Sequence, residues 1–189
     1  MSSGNCKHIN YFTMIFICAL LLTNTVYPQE KNELSRIDKI ISEAGKIIRY
    51  DDYKLPDIKG SYGEGKLEVK VRVVNTGSTP YSYFVLISRK TKYDTKRASI
   101  SEEELTDVIE AFDSLVKMSI TESTTSSYAN IKYVSEEGFQ MGYYVDEKRN
   151  SHWFVTLEKY GTGNTFFLKK TEELKEVLLA AQKKIKDLQ

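Results

Sequence analysis

The sequence predicts an α+β domain: an N-terminal helix, then two strand-rich units each ending in a helix, forming one antiparallel meander sheet with helices packed on one face. Three observations predict it. From Lys66 to Val74 the residues alternate, with Leu67, Val69, Val71 and Val73 on one side and Lys66, Glu68, Lys70 and Arg72 on the other, the period of a half-buried strand. Leu105, Val108, Ile109, Phe112, Leu115 and Val116 recur at helical spacing, which gives that segment one apolar stripe. The same succession of short strands leading into a helix then recurs and closes on Leu174, Val177, Leu178, Ala181 and Ile185.

Ahead of the domain lies a segment laid out like a secretory signal. Lys7 and His8 make a polar start, an apolar run extends from Tyr11 to Leu22, and a polar exit follows. A run of about a dozen residues falls short of the roughly 20 that a membrane-spanning helix needs. Residues 1–28 are therefore expected to be a signal peptide, cut between Thr25 and Gln29. Residues 29–189 are expected to form a single domain of about 160 residues outside the cytoplasm, periplasmic or secreted, meeting a membrane only during export. Lipid attachment at Cys18 is not expected, because Phe16 and Ile17 stand where a small residue is required.

Leu34, Ile37, Ile41, Ala44 and Ile48 predict the N-terminal helix over Asn32 to Ile48, capped by Asn32 or Ser35. Asp51, Asp52, Pro56, Gly60 and Gly63 mark residues 50–64 as a loop. After the Lys66 to Val74 strand, Tyr81 to Ser88 reads as its hairpin partner and Arg97 to Ile100 as a short third strand. Ser101 and Glu104 have the spacing of a capping box, and Ile100 and Leu105 that of a hydrophobic staple, so the next helix starts there. Residues 119–127 have the Ser/Thr-rich composition of a linker. Strands follow at Tyr128 to Val134, Phe139 to Asp146, Ser151 to Tyr160 and Thr165 to Leu168, and the final helix spans Thr171 to Lys186. Glu103-Glu104-Leu105 and Glu172-Glu173-Leu174 open the two long helices alike, a hint of internal duplication.

Composition narrows the function. The only cysteines, Cys6 and Cys18, lie in the leader, so the exported domain is left without disulfides, thiolate metal ligands or a cysteine nucleophile. Removing the leader takes Lys7 with it and leaves 26 basic against 26 acidic residues. That balance lacks the basic surplus of a nucleic-acid binder. His152 is the one histidine after the leader, too little for a zinc site. The adjacent acids at Asp51-Asp52, Glu102 to Glu104, Glu136-Glu137 and Glu172-Glu173 are accounted for by a loop, two helix starts and a hairpin turn. Gly63-Glu64-Gly65 and Gly161-Thr162-Gly163 each precede a strand rather than a helix, so they are turns and not phosphate loops. No catalytic residue, metal or cofactor is expected.

Thirteen tyrosines concentrate in the strands. If the Leu67 side of its strand faces the core, the outward positions include Phe84, Leu86, Tyr144, Phe154 and His152, with Trp153 nearby. Such a row on the helix-free face is a contact surface, unless the N-terminal helix folds over it. The expected function is an exported, non-catalytic protein-binding module: an inhibitor, an immunity-type protector or an envelope accessory factor. A small-ligand or glycan-binding protein, with the tyrosines and Trp153 lining a concave sheet, competes with it. A hydrolase using Asp51, Asp52 and Asp57 comes third.

Overall fold

The computed structural model describes residues 34–77, 80–89, 95–122 and 128–189; the expected signal segment, the expected first residues of the N-terminal helix and the middle of the Ser/Thr-rich linker lie outside the described residues. Strands β1 (Arg49–Lys59), β2 (Lys66–Asn75), β3 (Tyr81–Arg89) and β4 (Thr95–Ser101) form one antiparallel sheet in chain order. Strands β5 (Ala129–Val134), β6 (Gln140–Val145), β7 (Ser151–Thr156) and β8 (Thr165–Phe167) form a second. Helix α1 (Arg36–Ile41) precedes the first sheet, α2 (Glu102–Glu122) follows it, and α3 (Thr171–Lys186) follows the second. The α+β class and the two strand-rich units each ending in a helix stand; the meander is divided into two four-stranded sheets. They touch through an isolated bridge between Gly60 and Leu168, flanked by Ser61 N–H donating to the Phe167 carbonyl and Lys169 N–H to that of Lys59.

The inner faces of both sheets share one core with the long helices. Leu67, Val69, Val71, Phe84 and Leu86 from the first sheet meet Met141, Tyr143, Trp153 and Val155 from the second, with Leu105, Val108, Phe112, Leu174 and Val177 between them. The helices do not stay with their own strands. Helix α2 packs on β5 and β6 as well as on β3 and β4, while α3 lies along β1 and β2. A matched pair of hydrogen bonds ties this exchange: Glu104 of α2 accepts from Glu136 N–H just past β5 (2.6 Å), and Glu173 of α3 accepts from Lys59 N–H at the end of β1 (2.8 Å). The two Glu-Glu-Leu starts thus do the same job in the two halves. Half of the expected capping box forms, with Glu104 N–H donating to Ser101 Oγ (3.4 Å); the other half is absent because the Glu104 carboxylate reaches the facing unit instead.

Three of the expected elements need correction. Residues 50–59 are not loop but most of an eleven-residue strand. Asp52 disguised it: on β1 its carboxylate is held by Lys70 (2.6 Å) and Arg72 (2.6 Å) across the ladder, so ion pairing replaces apolar alternation. Pro56 is tolerated because β1 is an edge strand, and the register shifts between Leu55 and Ile58. The N-terminal helix is six residues rather than seventeen, starting with Ser35 Oγ accepting from Asp38 N–H (3.2 Å) and giving way before Gly45, whose φ is +77°. Residues 119–122 continue α2 instead of opening the linker.

A helix that short cannot stand alone. Ile37 holds it, fully buried against Val74, Tyr83, Val85 and Ile87 on the outer face of the first sheet, a burial worth about 1.5–3 kcal/mol. Arg36 N–H donates to Glu137 (2.8 Å) and Asp38 pairs with Arg97. The helices therefore do not all lie on one face: α1 covers the side of the first sheet opposite α2 and α3.

Candidate functional site

The pairing of β2 with β3 decides which residues can form a surface. Val71 stands opposite Phe84 and Val69 opposite Leu86, and residues directly opposite in a ladder share a face. Phe84 and Leu86 are consequently core residues with no exposure; their assignment to the outer surface is wrong by one residue of parity. Trp153 is also inward, 9% exposed and packed between Phe112 (5.7 Å) and Tyr143 (5.1 Å between centroids). A concave sheet lined by the tyrosines together with Trp153 is not what the structure builds.

The outer face of the second sheet brings the others together. Tyr144 on β6 is directly opposite His152 on β7, and Phe154 opposite Phe167 on β8. Tyr144 and His152 stack, with centroids 4.8 Å apart and planes 18° from parallel. Phe167 stands edge-on to Tyr144, to Phe154 and to Tyr62, which arrives from the β1–β2 turn. Phe154 is only 8% exposed and forms the floor, whereas Tyr62 is 72% exposed and forms the rim. Gly142 lies between Lys132 and Phe154 on the same face; a Cβ there would be 2.2 Å from the Ile131 carbonyl oxygen, so the close approach of β5 and β6 requires glycine.

His152 is held on both nitrogens. Nε2 lies 2.9 Å from Asp146 Oδ2 and Nδ1 lies 2.9 Å from the Tyr62 hydroxyl. Asp146 also accepts from Asn150 N–H (2.8 Å). The His152 hydrogen bond, helped by that of Asn150, holds the Asp146 carboxyl well below the usual carboxylate range. An ionised carboxylate only accepts, so Nε2 carries the proton, and in the neutral ring Nδ1 accepts from the Tyr62 hydroxyl. Tyr62 does this from a left-handed backbone conformation, φ +52°, uncommon for a side chain of its bulk. Burial beside Asp146 and Tyr62 raises the Tyr144 phenol above its ordinary value.

Chemically, the relay fixes one tautomer and polarises one phenol. In the stacked pair Tyr144 and His152 each turn one ring face to the other. The three acids considered for hydrolysis do not converge: Asp51 pairs with Arg49, Asp52 with Arg72 and Lys70, and Asp57 with Lys66. Among the described residues no group of three or more His, Cys, Asp or Glu side chains is placed to hold a metal, and no helix is long and apolar enough to cross a membrane. Tyr62, Asp146 and Phe167 escaped the sequence reading. A lone aromatic at the tip of Gly60-Ser61-Tyr62-Gly63 was the available signal for the first. No protein-family model, curated protein or solved structure matches this chain.

Proposed function

We propose that the chain is an exported, non-catalytic protein-binding module whose contact surface is the outer face of the second sheet, centred on Tyr62, Tyr144 and His152. One observation carries this: the outer face of the first sheet is covered by α1 through Ile37, whereas no described helix covers the corresponding face of the second. The reason lies in chain length. Residues 34–48 precede β1, but only 123–128 separate α2 from β5, too few to supply a counterpart of α1. The cover for an aromatic cluster of this kind is a partner's surface, with Tyr62 as the anchor and the deeper rings holding it in position. The leader-like start of the sequence supports export. An inhibitor, an immunity-type protector or an envelope accessory factor all fit a domain of this kind.

The test is site-specific photo-cross-linking. A photoreactive phenylalanine analogue placed at position 62 should capture one discrete protein from the compartment in which the chain resides. The same probe at Tyr50, an exposed tyrosine on β1, should not. Equal labelling from both positions, or none from either, removes this surface from consideration.

A further inference from the structure

We infer that a cleft between α2 and α3, on the side of the second sheet opposite His152, binds a small organic cation with an apolar body. The cleft has a volume of about 500 Å³, within the range of small-ligand sites. Its apolar walls are Phe112 and Val116 from α2, Leu179 from α3 and Trp153 from β7. Ligand charge follows from the rim. Lys175 and Asp113 neutralise each other in a 2.6 Å ion pair between the two helices. Glu172 and Glu176 also line the cleft, and neither has an ionic partner among the described residues.

An apolar wall beneath a rim that carries two carboxylates without ionic partners among the described residues attracts a cation through those charges, and repels an anion of the same size. The apolar lining calls for an equally apolar ligand body, so a bare metal ion or a polyamine is a poorer match than an arylalkyl ammonium. This site is independent of the proposed protein-binding face, because Trp153 and His152 are neighbours on β7 and project to opposite sides.

The single tryptophan of the chain lies in the wall and serves as the probe. Benzyltrimethylammonium, benzyl alcohol and phenylacetate should be titrated while Trp153 fluorescence is followed. The ammonium is expected to give a saturable change, the alcohol a weaker one, and phenylacetate none. Replacing both exposed acids, Glu172→Gln with Glu176→Gln, should weaken the ammonium about fivefold with the helical circular dichroism unchanged, and Lys175→Met should tighten it by freeing Asp113. A missing ammonium response, equal responses to ammonium and phenylacetate, or an unchanged affinity in the double glutamine variant would each overturn the assignment.

Discussion

The Tyr62 hydroxyl meets His152 Nδ1 at 2.9 Å across ninety positions of sequence, and with Asp146 on the far nitrogen it leaves the imidazole one tautomer. Tyr62→Phe deletes the donor and keeps the ring. Denaturant unfolding should show a loss of about 0.5–1.5 kcal/mol, toward the lower end because the tyrosine is exposed. Nitrogen NMR of the ring should still find the proton on Nε2, since Asp146 remains. A proton on Nδ1 in the parent protein would reverse the direction of the relay.

Phe84 and Tyr144 separate core from surface. Phe84→Ala should cost about 3–5 kcal/mol, the usual range for emptying a buried phenylalanine site. Tyr144→Ala should cost well under half of that. Comparable losses from both would mean that the outer face of the second sheet is covered after all.

Gly142 limits how that face can be altered. Gly142→Ala puts a methyl group onto the backbone of β5, so thermal unfolding should register a loss of about 1–3 kcal/mol from overpacking. Gly63→Ala should be milder, since open space surrounds its Cβ position and only its φ of +79° opposes the change.

Asp52 sets part of the acid limb of stability. The Arg72 hydrogen bond, with Lys70 beside it, brings its carboxyl from 3.8 down to about 2. A carboxyl whose folded value lies below its unfolded one contributes stability that is present above the unfolded value and is lost as pH falls through the folded one. The parent protein should therefore lose stability between about pH 4 and 2, and Asp52→Asn should begin less stable at neutral pH and fall less over that interval. Parallel curves for the two proteins would show that the ion pair contributes nothing.

Much of this fold is written locally. Helix α3 spans Thr171 to Lys186 with all five expected residues on its buried stripe, because the period is a property of neighbouring positions. Strand β1 was hidden because its partners are charges on another strand. Phe84 and Leu86 were misassigned because parity across a hairpin depends on register, which Val71 and Val69 set from the opposite strand. The candidate site was half legible for the same reason: Tyr144, His152 and Phe154 sit on alternating strand positions, while Tyr62 reaches them because its turn is tied to the end of β8, by the Gly60–Leu168 bridge and by Ser61 N–H donating to the Phe167 carbonyl.

The decisive measurement is the affinity of the protein captured from position 62 for the Tyr62→Ala, Tyr144→Ala double variant, taken beside its melting midpoint. Removing two anchors from the centre of an interface should weaken binding at least about tenfold while the midpoint moves by only a few degrees. Undiminished affinity in a folded double variant would contradict the account.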